Sequence, residues 1–110
     1  MMVEKEKAKQ NKILVVDDEE SIRHYLRLLL EREDFKVAVA NNGEEALSII
    51  DKQDFEIILC DIRMPGLYDG LDFLKEFRKR KRFGEVVIMS AYGSRDTALA
   101  AVRQGAYDYI

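Results

Sequence analysis

Short apolar runs that each stop at a polar side chain recur along this chain, separated by stretches with helical spacing. Ile13-Leu14-Val15-Val16 stops at Asp17 and Asp18, Ile57-Ile58-Leu59-Cys60 stops at Asp61, and the run Glu85 to Ser90 (EVVIMS) stops at a hydroxyl. Runs apolar at consecutive positions have both faces covered, as in the central strands of a parallel sheet. After the first run, Ile22, Tyr25, Leu26, Leu29 and Leu30 follow the i, i+3, i+4, i+7, i+8 stripe of an amphipathic helix, with Ser21 as its N-cap. Phe35 to Ala40 alternates and predicts a second strand, at a sheet edge. Asn41-Asn42-Gly43 turns the chain, and Ala46, Ile49 and Ile50 predict a second, shorter helix.

The third strand runs from Phe55 to Asp61 and is broken by Met64-Pro65-Gly66. Gly70 precedes a third helix built on Leu71, Leu74 and Phe77. Its basic end, Arg78 to Arg82, is a solvated terminus that complements the helix dipole. Ser94 to Gln104 predicts a fourth helix, poor in large residues, with Gly105 as its C-terminal cap, and Tyr107 to Ile110 opens a fifth strand. This βα alternation predicts an α/β domain with a doubly wound parallel sheet.

The chain has 110 residues, a length suited to one domain, and the predicted domain is 12–110, preceded by a charged, aperiodic tail over 1–11. Its formal net charge of −3 carries no electrostatic footprint for nucleic acid, so direct nucleic-acid binding is not expected. No apolar stretch approaches the ~20 residues that span a bilayer, and no apolar signal segment follows the first lysines. A lone cysteine, Cys60, excludes an internal disulfide and fits a reducing compartment, so the expected location is cytoplasmic.

In open α/β sheets, ligands bind outside the carboxyl ends of the strands, where strand order reverses. With the first and third strands flanking that reversal, Asp17, Asp18 and Asp61 converge on one pocket. Their mutual repulsion calls for a cation, and oxygen-only donors point to Mg²⁺ rather than zinc. One of the three carboxylates is then a candidate nucleophile for phosphoryl chemistry. Ser90, at the end of the fourth strand, is a candidate hydroxyl donor to a phosphoryl oxygen, with Ala91 leaving room beside it. Plainer roles stand beside these: Asp17 setting the loop, Ser90 as a strand-end hydroxyl, and Tyr109 as packing. His24 reads as a surface residue and Cys60 as a small buried hydrophobe.

The stretches ILVVDDEESIR, IILCDIRMPG, VVIMSAYGS and RQGAYDYI resemble the successive signature blocks of bacterial response-regulator receiver domains. The last of these, within SAYGSRDTALAAVRQGAYDYI, is most similar to receivers of nitrogen-regulatory transcription activators. The resemblance implies a flavodoxin-like sheet of order 2-1-3-4-5. It implies that Asp61 accepts a phosphoryl group from a sensor histidine kinase or phosphotransfer protein. Asp18 and Asp61 would ligate Mg²⁺ directly, with the Arg63 backbone carbonyl as a third protein ligand and Asp17 acting mainly through water. Ser90 would be the switch hydroxyl, and Tyr109 the aromatic side chain that turns inward on activation.

Two departures from the family pattern bear on these expectations. The segment MPGLYDG holds one more residue between Pro65 and Gly70 than receivers usually carry, which lengthens the loop beside the pocket. The family's lysine at the end of the fifth strand, and its last helix, find no counterpart in 1–110. The expectation is therefore a C-terminally incomplete receiver domain from a longer chain with an output domain, its uncovered sheet face open to pairing with a second copy. One alternative is a receiver-like interaction module that is not phosphorylated. Another is an aspartate-nucleophile phosphohydrolase of the haloacid-dehalogenase type, disfavoured because Arg63 stands where its second aspartate belongs.

Overall fold

The computed structural model describes residues 11–90 and 95–110. Residues 1–10 of the tail predicted over 1–11, Ala91 and the proposed helix start at Ser94 lie outside the described residues. Strand β1 (Lys12–Val16) leads to helix α1 (Glu20–Arg32), β2 (Lys36–Ala40) to α2 (Gly43–Ile50), and β3 (Ile57–Asp61) to α3 (Gly70–Arg80). Strand β4 (Glu85–Met89) then leads to α4 (Arg95–Arg103), and β5 (Asp108–Tyr109) follows. The sheet has the order β2-β1-β3-β4-β5, with every neighbouring pair parallel. This is the flavodoxin-like order expected, with β2 at an edge. The order reverses between β1 and β3, so the ends of those two strands frame the switch-point crevice.

Alternation along the strands sorts their apolar side chains onto two unequal faces. Leu14, Val16, Ile58, Cys60, Val86 and Ile88 point to one side, where they form a continuous core with Ala46, Leu47 and Ile50 of α2, Phe73, Leu74 and Phe77 of α3, and Ala101 of α4. Phe73 and Phe77 stack within it, their ring centroids 6.1 Å apart. The other face carries Val39, Val15, Leu59 and Val87, aligned across four strands by the parallel register. Helix α1 lies on this side, where Glu20, Arg23, His24 and Arg27 form a shallow cleft with Val39.

The apolar stripe of α1 predicts the helix correctly but not its burial. No residue of α1 is buried, and Tyr25 and Leu29 are 62% and 40% exposed. Helices α2, α3 and α4 all contribute to the opposite core, so α1 alone among the described helices covers this face. Leu59 and Val87 accordingly remain half-buried.

Helix α1 also starts earlier than a Ser21 N-cap would allow. The cap position is Glu19, whose side chain makes no cap bond. The Asp17 Oδ1 accepts the Glu19 N–H at 2.9 Å instead, so the turn is closed from outside the helix. The starts of α2 and α3 are conventional. Asn42 Oδ1 accepts the Glu45 N–H at 2.8 Å to cap α2, and Asp69 and Asp72 form a reciprocal capping box for α3.

The basic end of α3 is not simply solvated. Arg80 pairs with Asp51 at 2.9 Å and Arg82 with Asp54 at 2.7 Å, tying α3 to the segment between α2 and β3. Each exposed pair contributes at most about 1 kcal/mol, but together they neutralise much of the run.

Ahead of β4, Gly84 has φ +114°, and a Cβ there would strike the Phe55 carbonyl oxygen. Gly84→Ala is expected to destabilise the fold by about 1–3 kcal/mol, through both the left-handed backbone and the clash. Urea unfolding measures this, and an unchanged midpoint would contradict it.

Candidate functional site

Two strands deliver the three carboxylates to the switch point. The Asp17 N–H bonds to the Ala40 carbonyl at 3.1 Å, extending the β1–β2 ladder one residue beyond Val16. Val16 is in register with Cys60, so Asp17 lies level with Asp61, the last residue of β3. Asp18 follows in the loop to α1. One carboxylate oxygen from each of Asp17, Asp18 and Asp61 lies within 4.8 Å of the others. Asp17 is buried, Asp61 half-buried and Asp18 exposed, so the group is graded from the protein interior toward solvent.

These residues line a cavity of about 490 Å³ that also reaches Arg63, Met89 and Ser90. Asp17, Asp18, Asp61, Arg63 and Ser90 therefore meet at one pocket, and Tyr109 does not line it. Tyr109 lies one strand further out, in register with Ile88 and packed against the core. Its buried hydroxyl has no hydrogen-bond partner among the described residues.

The backbone around Asp17 and Asp61 partly compensates their charge. Burial pushes the Asp61 carboxyl above its usual range, and the charge of Asp17 adds to the effect; N–H bonds from Arg63 and Ile62 oppose it. Burial likewise raises Asp17, against a bond from the Glu19 N–H. Arg23 assists from α1: its Nη1 donates to the Asp17 backbone carbonyl at 2.8 Å, and its charge favours the Asp17 carboxylate. Sequence reasoning assigned no role to Arg23, although its place one helical turn beyond Glu19 was the available signal.

Cys60 presents no competing soft ligand. It is fully buried, donates its thiol to the Asp61 backbone carbonyl at 3.4 Å, and is held well above the usual thiol range, first by burial and then by the Asp61 charge. His24 lies in the separate α1–β2 cleft. Among the described residues, the cluster thus consists of carboxylates with no histidine or cysteine beside them, the donor chemistry of a hard divalent cation such as Mg²⁺.

The raised carboxyls also set a pH dependence. With Asp17 and Asp61 above their ordinary value of 3.8, the metal-free folded chain binds protons more tightly than the unfolded chain. Their contribution to stability therefore falls as pH rises from 3.8 through the raised values, and stays lost above them. A cation binding the deprotonated oxygens reverses this loss. Melting temperatures in Mg²⁺ and in EDTA are expected to converge at low pH and separate as pH climbs through the carboxylate range. Parallel curves would contradict this.

The sheet order and the cavity at its reversal define a doubly wound α/β domain with an acidic pocket at the switch point. The chain belongs to the response regulator receiver domain family, whose pattern matches residues 13–110. It is 45% identical over 98 residues to the transcriptional regulatory protein ZraR of Klebsiella oxytoca, covering 89% of this chain and 22% of the relative. It is 40% identical over 100 residues to the regulatory protein AtoC of Escherichia coli, covering 91% of this chain and 22% of that protein. The chain thus spans about a fifth of the length of these curated relatives.

Among solved structures, the response regulator TrrA of Thermotoga maritima, in complex with Mg²⁺-BeF, superposes with a TM-score of 0.81 at 35% identity, covering 91% of this chain and 84% of that one. The chemotaxis protein CheY4 of Vibrio cholerae gives 0.86 at 28% identity, covering 92% and 85%. Among the described residues, no helix is long and apolar enough to cross a membrane.

Proposed function

We propose that this chain is the phosphoacceptor domain of a two-component system, accepting a phosphoryl group on Asp61 from the phosphohistidine of a sensor kinase or phosphotransfer protein. The observation that carries this reading is the convergence of Asp17, Asp18 and Asp61 within 4.8 Å at the mouth of an open cavity. A carboxylate oxygen of Asp61 attacks the phosphorus, the P–N bond breaks, and its electron pair leaves with the imidazole nitrogen. Asp61 suits this role because it ends its strand half-buried, with an oxygen facing the cavity and its other interactions held by backbone N–H groups.

Asp18, Asp61 and the Arg63 backbone carbonyl would hold Mg²⁺ directly, and Asp17, bound to the Glu19 N–H, would act mainly through water. Bound Mg²⁺ supplies positive charge to the transferring phosphoryl oxygens. Ser90, on the same cavity, donates its hydroxyl to a phosphoryl oxygen. A movement of Ser90 toward the phosphoryl group is passed to Tyr109 at the α4–β5 edge, whose hydroxyl is buried without a partner among the described residues. Leu99, Val102 and Tyr107 expose apolar surface there, where a partner or output domain would read the change. The domain signals rather than turning over a substrate; self-phosphorylation from a small donor and autodephosphorylation are its only catalysis. Its setting is the cytoplasm, alongside such kinases and as one part of a longer regulator.

The test is incubation with acetyl phosphate. A phosphoryl mass gain is expected in Mg²⁺ and not in EDTA. No gain, or an equal gain in EDTA, would overturn the reading and favour a non-phosphorylated interaction module.

A further inference from the structure

The loop from Ile62 to Asp69 joins the acceptor strand to α3 and carries the additional residue of the MPGLYDG segment. It is fastened at both ends. Ile62 and Met64 are buried, and the Gly70 N–H bonds to the Ile62 carbonyl at 2.8 Å. A Cβ on Gly70 would collide with the Asp61 carbonyl oxygen, so glycine is needed for α3 to start this close to the acceptor strand.

The middle of the loop is held by a different element. Tyr68 is half-buried and packs against the core, whereas Leu67 beside it is 77% exposed. The Tyr68 Cβ lies only 2.7 Å from the position a Cβ on Gly43 would take, and its carbonyl oxygen 3.2 Å from it. Gly43 opens α2, so the missing side chain there forms a notch into which Tyr68 fits. Two residues earlier, Gly66 turns with φ +97° against the Glu44 carboxylate, on the same first turn of α2. The longer loop thus leans on α2. Arg63 lies between the buried Ile62 and Met64, and its N–H donates to the Asp61 carboxylate.

We infer that Tyr68, seated in the Gly43 notch, is a positioning residue that fixes the Arg63 backbone beside Asp61 and so sets the Mg²⁺ affinity of the pocket. The inference rests on the reading of the pocket as a Mg²⁺ site. Without the Tyr68 ring, the loop between Met64 and Gly70 loses the core packing that presses its backbone into the Gly43 notch of α2. The Arg63 peptide then samples orientations in which it neither donates to Asp61 nor offers its carbonyl to a cation. Supporting groups of this kind change metal affinity by about 10- to 100-fold.

The experiment compares Tyr68→Ala, Tyr68→Phe, Gly43→Ala and the double variant Gly43→Ala/Tyr68→Ala. Two readouts are amide exchange at Arg63 in metal-free protein and Mg²⁺ affinity from chemical-shift titration. Tyr68→Ala is expected to speed Arg63 exchange and weaken Mg²⁺ binding about tenfold, while Tyr68→Phe keeps both near the unsubstituted values. Gly43→Ala pushes on the Tyr68 Cβ and carbonyl from the other side and is expected to change both readouts in the same direction as Tyr68→Ala. On the Tyr68→Ala background it should still add to the loss, because alanine keeps the Cβ and the carbonyl oxygen that a Cβ on Gly43 would meet.

Unchanged Arg63 exchange in Tyr68→Ala would overturn the inference, as would unchanged Mg²⁺ affinity alongside faster exchange. If the unsubstituted chain bound no Mg²⁺, the reading of the pocket would fail separately. Arg63 exchange would still decide whether Tyr68 positions the loop.

Discussion

Asp61→Asn is expected to reduce phosphoryl incorporation by on the order of a thousandfold or more, because the nucleophilic oxygen is replaced by an amide that cannot form an acyl phosphate. The same substitution is expected to stabilise the metal-free fold. Burial and the Asp17 charge both raise the Asp61 carboxyl, so the ionised group costs the metal-free protein stability near neutral pH. Removing that charge should stabilise the metal-free fold and raise its melting temperature. Loss of phosphorylation together with a higher melting temperature separates loss of chemistry from loss of folding. A destabilised variant would show that the Asp61 charge is already compensated in the metal-free chain.

Asp18→Asn is expected to produce the second large effect, on the metal. Asp18 is the exposed member of the trio, so replacing it leaves packing intact while removing a direct oxygen anion. Affinity for Mg²⁺ should fall about a hundredfold or more, beyond what loss of a supporting group causes. At a Mg²⁺ concentration of about 100 times the dissociation constant, binding stabilises the native state by about 2.7 kcal/mol; a hundredfold weaker site leaves about 0.4 kcal/mol. The Mg²⁺-dependent rise in melting temperature, about 10 °C or more for the unsubstituted chain, should nearly vanish. A full rise in Asp18→Asn would place the cation elsewhere.

The sheet and the acidic pocket were legible in the sequence for a common reason. A central parallel strand is apolar at every position, so a carboxylate directly after it stands out, and both Asp17 and Asp61 follow such runs. Register then does the rest, since pairing Val16 with Cys60 brings the two aspartates level. Features that depend on which distant elements meet were not legible. The stripe of α1 has the periodicity of a buried face, yet burial depends on a covering layer that periodicity does not encode. Arg80 and Arg82 pair with Asp51 and Asp54, residues nearly thirty positions away, so their run looked merely solvated. Ser21 looked like the α1 cap because hydroxyls favour that position, but Asp17 closes the turn first. The Gly43 notch was invisible because an absent side chain has no meaning until Tyr68 is beside it.

The pocket is expected to direct the phosphoryl group to Asp61 rather than to a neighbouring carboxylate or hydroxyl. Borohydride reduction of the chain after reaction with acetyl phosphate and Mg²⁺ tests it directly, because acyl phosphates are reduced to the alcohol. Peptide mapping is expected to find homoserine at position 61 and unmodified aspartate at 17 and 18. Reduction at Asp17 or Asp18, or a phosphoryl group on Ser90 that survives borohydride, would contradict the account.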